Sequence, residues 1–314
     1  MSGEIPGIAI LGPTASGKTR LALSLAHQFR GEIVSCDALQ IYRRMDIGTA
    51  KASKADQELV RHHIIDIRDP DQDFSAGDYQ RTAREAIQGI HKRGHVPFVV
   101  GGTGFYLRAL IEGLFEGPGR SEELRTRMRN IIRRKNPAVL HRALAKIDPL
   151  SASRIAQTDA ERIIRAYEVY LLTGKTMSSW QLQPRDALTG YRWLKIGIDV
   201  PRKQLYEQIN QRIDEMFEHG LLDEVRELLQ KFSEQAHAFK AIGYRQAIDY
   251  LGDKVSLPQA IEETKKESRH YAKRQLTWFR SDHKIIWLDG NLGAARLEER
   301  AAELILEWLV DSGQ

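Results

Sequence analysis

The chain has 314 residues, 42% hydrophobic and 28% charged, with a formal net charge of +5 and a pI near 9.2. This is the composition of a soluble globular protein of one large domain or two modest ones. No apolar run is long enough to span a bilayer, and the N-terminus lacks the charged and apolar regions of a secretory signal. The single cysteine, Cys36, excludes an internal disulfide and a Cys-rich zinc site, and it fits a reducing, cytoplasmic setting.

The first predicted strand is Ile8–Leu11, and the first predicted helix spans Lys18–Phe29. Between them lies Gly12-Pro13-Thr14-Ala15-Ser16-Gly17-Lys18-Thr19, a G-x-x-x-x-G-K-[ST] loop in the strand–loop–helix setting that gives the motif its meaning. Its backbone N–H groups, from Gly12 through Thr14, Ala15, Ser16 and Gly17, are expected to surround a diphosphate at a helix N-terminus. Lys18 is expected to reach an outer phosphate, and the Thr19 hydroxyl to hold a magnesium ion bridging the phosphates. The loop does not say which diphosphate is held, or whether a phosphoryl group moves.

A second strand, Glu32–Ser35, runs into Ser35-Cys36-Asp37-Ala38-Leu39-Gln40, which brings Asp37 near the phosphate loop. A carboxylate there can bind magnesium, accept a proton from a nucleophile, or simply cap a turn, and spacing alone does not choose. Further strands are expected at His63–Ile67 and Val96–Val100, with helices at Ala76–Lys92 and Thr103–Glu112. The fourth strand leads into Gly101-Gly102-Thr103-Gly104, where the glycines allow close backbone approach and Thr103 offers a hydroxyl at a helix start. Alternating strands and helices imply an α/β fold: a P-loop NTPase-like parallel sheet flanked by helices, with ligands at the strands' carboxyl ends.

Gly113–Gly119 is rich in breakers, and residues 121–182 carry helical patterning only. Pro137 and Pro149 open helices there, and Asp159 caps Ala160–Leu172, which stops at Gly174. Strand pattern returns at Trp193–Val200. Helices follow over Gln204–Lys231, Tyr244–Leu251 and Pro258–Arg280, then a strand at Lys284–Leu288 and a helix at Ala294–Val310. The expected organisation is a catalytic core of residues 1–118 and 186–314 carrying an all-helical insertion, 119–185.

Basic charge is concentrated in two segments. Residues 119–148 hold nine Lys/Arg against three Asp/Glu, and residues 265–284 hold seven against two, so the rest of the chain is net acidic. Two such segments beside a phosphate loop favour a nucleic-acid partner. In the second, Lys266, Arg269, Lys273 and Arg280 share one helix face, while Tyr271, Gln275 and Trp278 form another that can stack bases or pack on the core.

The motifs GPTASGKT, SCDALQIYR with GTAK beyond it, HHIID, GGTGFYLRAL, DAERIIRAYEVYLLTGK, AIGYRQ and YAKRQLTWFR together resemble the tRNA dimethylallyltransferases, over nearly the whole chain from residue 8 to about 280. That resemblance implies transfer of a dimethylallyl group from dimethylallyl diphosphate to N6 of the adenosine 3′ to the anticodon, with release of diphosphate and Mg2+ as cofactor. It places the general base or N6-orienting carboxylate on Asp37 and a threonine near the diphosphate's bridging oxygen on Thr103. It implies tRNA contacts at Asp37, Ala38, Leu39, Gln40 and Thr103, at Arg125 in the insertion, and at Glu161, Arg162, Ile163, Ile164 and Arg165. Arg162 and Arg165 are its candidate cations for diphosphate or phosphate. The C-terminal helix adds Lys273, Arg274, Gln275 and Arg280. Eukaryotic members carry a C-terminal Cys/His zinc finger, and no cysteine follows Cys36, so the likeness is to the shorter bacterial type, expected to act as a monomer away from membranes. The competing readings are a small-molecule P-loop kinase, a nucleotide-gated RNA-binding module, and an isopentenyltransferase acting on free AMP or ATP.

Overall fold

Successive side chains of a strand point to opposite faces, and in β1 (Ile5–Leu11) Ile8 and Ile10 enter one apolar cluster while Ala9 and Leu11 enter another, all fully buried. A strand buried on both faces belongs in the interior of a parallel sheet. The computed structural model, which describes residues 4–311, places it there. β2 (Gly31–Ser35), β3 (His62–His63), β4 (Val96–Gly101), β5 (Tyr191–Asp199) and β6 (Ile285–Asp289) complete one sheet in the order β3-β2-β4-β1-β5-β6, every neighbouring pair parallel. The carboxyl ends of the central strands β1, β2 and β4 therefore lie side by side, and the phosphate loop, the Asp37 segment and the Gly101–Gly104 segment leave from that edge.

The helices of the first part are α1 (Lys18–Gln28), α2 (Lys54–Leu59), α3 (Ala76–Lys92) and α4 (Gly104–Ile111). Five follow in the middle of the chain: α5 (Glu122–Lys135), α6 (Pro137–Ile147), α7 (Pro149–Arg154), α8 (Ala160–Thr173) and α9 (Met177–Gln181). The last are α10 (Arg202–Glu218), α11 (Leu221–Leu229), α12 (Tyr244–Leu251), α13 (Leu257–Arg280) and α14 (Ala294–Asp311). On one sheet face α1, α10 and α14 bury Leu25, Ile209 and Ile305; on the other, α3, α4, α11 and α12 bury Tyr79, Leu110, Val225 and Ala247.

The chain divides into two compact units, one running up to Ile111 and resuming at Leu188, the other Glu112–Ala187. The second unit is wholly helical around Met128, Leu144, Ile163, Ile164 and Val169. Its helix starts are written locally: Ser121, Asp148, Asp159 and Thr176 each accept a backbone N–H of the first turn, and Gly174 takes the left-handed conformation (φ 70°) that ends α8.

Two expectations are corrected. The strand expected over His63–Ile67 shrinks to two residues, because Ile64 and Asp66 take left-handed backbone (φ 62° and 56°). For a β-branched residue that is a rare conformation. The chain there turns its N–H groups to the preceding loop instead, Asp66 to the Gln40 carbonyl and Ile67 to that of Ile41. The helical stretch expected over Gln204–Lys231 is two helices, broken at Gly220 (φ 105°).

Candidate active site

In the phosphate loop Ala15 (φ 63°) and Gly17 (φ 83°) are left-handed, which curls successive N–H groups into the anion-binding concavity that the motif predicts. Lys18 opens α1 and donates to the Pro13 carbonyl at 3.1 Å. The hydroxyl of buried Ser16 has no hydrogen-bond partner among the described residues. The loop is braced from 261 residues away: Gln275 of α13 accepts the Thr14 N–H and donates to the Gly102 carbonyl, both at 2.9 Å. Gln275 was expected to face tRNA; the structure commits both ends of its amide to joining the phosphate loop to the Gly101–Gly104 segment.

That segment lies against the Asp37 loop. A Cβ on Gly101 would fall 2.1 Å from the Cys36 carbonyl oxygen, so glycine is required there by contact. The Thr103 hydroxyl accepts the Ala38 N–H at 3.2 Å, and the Thr103 N–H donates to the Cys36 carbonyl. Asp37 accepts the Leu39 N–H at 2.9 Å through one carboxylate oxygen, so it is a turn cap as well as a cavity-lining group. Thr103 lies just outside the lining residues and touches the cavity wall through its bond to the Ala38 N–H, between the lining residues Asp37 and Leu39.

The cavity measures about 310 Å³. Thr14, Ala15, Lys18 and Thr19 form one end, Ser35, Asp37, Leu39 and Gln40 a wall, and Arg212 and Tyr271 arrive from α10 and α13. Ile33, Val100, Ile209, Ile213 and Met216 supply an apolar stretch. Burial, with the Arg212 charge adding to it, pushes the Lys18 ammonium down to about 8 against the pull of Asp37. Burial also lowers Arg212, against the attraction of Asp37 and Glu215. Two desolvated cations sharing one cavity are a site built for a polyanion. Arg212 was missed by sequence reasoning; its only signal, an arginine amid apolar residues of an amphipathic helix, is common to many helices.

Burial keeps two nearby groups in their neutral forms. Burial, reinforced by Asp37, pushes the Cys36 thiol up to about 12, and burial likewise pushes the Tyr271 phenol to about 12. Of the HHIID motif, His62 lines the cavity, while His63 donates to the Glu32 carboxylate at 2.6 Å. Glu32 also receives Arg93 and His95; these hydrogen bonds outweigh its burial and bring it to about 2.

The residues expected in the helical unit divide sharply. Ile163 and Ile164, expected at a tRNA surface, are fully buried in the unit's core and cannot present side chains to a ligand. Arg125 is bidentate on the buried Glu168 at 2.9 Å and pairs with Glu161 at 3.4 Å. Arg165 is also committed to Glu168, at 2.7 Å, and to the carbonyls of Pro118 and Gly119. Glu168, which no motif reasoning singled out, is the hub of this network, and its hydrogen bonds from both arginines overcome burial to hold it at about 2. Arg162 is exposed, paired with Asp159. On α13, Lys266 pairs with Glu263, Arg269 donates to Asn210 and Arg280 pairs with Asp199, whereas Lys273 has no acidic partner among the described residues and Arg274 lies over the Tyr271 ring.

Residues 40–282 match the family model described as IPP transferase. The chain is 46% identical over 296 residues to a tRNA dimethylallyltransferase of Koribacter versatilis, covering 94% of this chain and 96% of that one. It is 44% identical over 306 residues to one of Solibacter usitatus. Among solved structures it is similar to the full-length tRNA isopentenylpyrophosphate transferase of Bacillus halodurans (TM-score 0.73, 38% identity, 99% and 98% of the two chains). It is also similar to a eukaryotic dimethylallyltransferase acting on tRNA (TM-score 0.80, 26% identity, 98% of this chain and 80% of that one).

Proposed function

Because the chain belongs to the IPP transferase family, we propose that it is a tRNA dimethylallyltransferase, moving a dimethylallyl group from dimethylallyl diphosphate to N6 of the adenosine 3′ to the anticodon. The observation that carries the reading is one cavity holding two desolvated cations, an apolar stretch and a single carboxylate. Each answers to one part of the reaction.

Breaking the allylic C–O bond places negative charge on the departing diphosphate. Lys18, Arg212 and the N–H groups of the phosphate loop stabilise that charge in a site shielded from water. The isoprenoid rests against Ile33, Val100, Ile209, Ile213 and Met216. The adenine amine attacks the allylic carbon and loses a proton as the C–N bond forms, and Asp37 accepts it. An adenine in a stacked anticodon loop reaches such a cavity by being extruded from the stack. Thr103 keeps the backbone beside Asp37 in register by accepting the Ala38 N–H.

The described residues contain no cluster of three or more His, Cys, Asp or Glu able to hold a metal. The site instead offers the Thr19 hydroxyl beside the phosphate loop, which suits Mg2+, an ion that keeps waters and phosphate oxygens as ligands. When bound it would neutralise diphosphate charge. In the helical unit the exposed Arg127, Arg133 and Arg134, and on α13 Lys273 and Arg274, are among the cations available to tRNA phosphates.

The reading is tested with labelled dimethylallyl diphosphate offered separately to unmodified tRNA, AMP and ATP. Label is expected on tRNA alone. Label on AMP or ATP, or steady ATP hydrolysis tied to phosphorylation of an acceptor, overturns it.

A further inference from the structure

One carboxylate outside the cavity organises part of its wall. Glu224, on α11, accepts three consecutive backbone N–H groups, those of Asp46 (2.8 Å), Ile47 (2.7 Å) and Gly48 (3.2 Å). Its fourth partner is the hydroxyl of Tyr244, at 2.6 Å, on a side chain with no exposure at all. The fit is close: a Cβ on Gly48 would come 2.5 Å from the Tyr244 ring. Lys51 fixes the far end of the same loop, binding the Tyr42 carbonyl and the carboxylates of Asp46 and Asp66.

The loop so held does not end at Glu224. Gly48, Thr49 and Ala50 line the cavity, whereas Glu224 and Tyr244 do not. The carbonyls of Thr49 and Ala50 accept from the Gln40 amide at 3.5 and 3.4 Å, and the oxygen of that amide accepts the Ser35 hydroxyl at 3.0 Å. Gln40, Ser35 and Asp37 form the wall beside the transferred proton's destination. A chain of hydrogen bonds thus runs from Glu224 through backbone 46–50 to the face that Asp37 shares.

We propose that Glu224 is a positioning residue for the transfer reaction. By gathering three N–H groups it holds segment 46–50 against Gln40, and so holds the nucleobase end of the cavity in the form in which Asp37 meets the amine. The inference rests on the transferase reading above. It requires that loss of Glu224 act on the chemical step and not on either substrate's affinity, because the phosphate loop and the tRNA-facing cations are not part of this chain of bonds.

The test uses the full chain with Glu224→Gln, Glu224→Ala and Tyr244→Phe, measured with dimethylallyl diphosphate and a tRNA anticodon stem-loop. Gln keeps the shape but sets an NH2 group against backbone donors; Tyr244→Phe removes one donor and leaves three. A displacement of about 1 Å at a reacting group lowers turnover by up to about a hundredfold, so kcat is expected to fall by roughly ten- to a hundredfold in both Glu224 variants and less in Tyr244→Phe. Dissociation constants for both substrates should stay close to the parent's. A kcat near the parent's in the Glu224 variants, measured well below their melting temperatures, overturns the proposal even where those temperatures drop. So does a loss confined to substrate affinity. The parent's own transfer in the same assay is the control: if the parent is inactive, the transferase reading fails and not this one.

Discussion

Lys18 and Arg212 share a cavity with one nearby carboxylate, and the charge excess fixes how the site responds to pH. A lysine lowered to about 8 is charged below that pH and neutral above it. Anion binding favours the charged form, so affinity for dimethylallyl diphosphate is expected to be highest below about 8 and to weaken as pH rises through it. Calorimetric titration between pH 6.5 and 9.5, roughly spanning one and a half units either side of that value, should show the weakening; a flat profile would contradict the assignment. Arg212→Ala should weaken diphosphate binding by at least about tenfold, the scale of one lost charged contact, and parental affinity in that variant would remove Arg212 from the site. That Lys18 and Asp37 line one cavity was legible because each sits in a contiguous motif at a strand end. Arg212 and Glu224 were not, and Gln275 was singled out without its partners, since nothing near them in sequence says that folding carries them to loops far away in the chain.

At the scale of elements, caps and breakers carried the most information. Asp159 and Gly174 delimit α8, and the predicted Ala76–Lys92 is the observed α3, because local hydrogen bonds end those helices. The third strand failed for the opposite reason: left-handed Ile64 and Asp66 answer to the Gln40 loop and not to local propensity. Ion pairing was equally invisible. Of the arginines on α5, Arg125 and Arg129 are engaged by Glu168, Glu161 and Glu122, leaving Arg127, Arg133 and Arg134 outward. Neutralising those three should flatten the salt dependence of tRNA binding by up to about three counterions' worth of slope, with dimethylallyl diphosphate affinity unchanged. Equal losses for both ligands would refute the assignment of these arginines to tRNA. Glu168→Ala strands two arginines that Glu168 now neutralises, and should cost roughly 3 kcal/mol in urea denaturation, the cost of breaking a buried pair; a loss near zero would mean that the hub is not structural.

For the whole molecule, a six-stranded parallel sheet brings three loop segments from its central strands to one edge, and α10 and α13 close over them with Arg212, Tyr271 and Gln275. The proposed reaction gives binding of the diphosphate and removal of the proton to different residues in one cavity, so the two should be separable by mutation. The most direct test is single-turnover transfer by Asp37→Asn, with enzyme in excess over labelled dimethylallyl diphosphate and an unmodified anticodon stem-loop. The account predicts a rate lower by about a hundredfold or more, the scale of a lost general base, while affinities for the stem-loop and for the diphosphate stay within a few-fold of the parent's. A variant that transfers at the parental rate would contradict it.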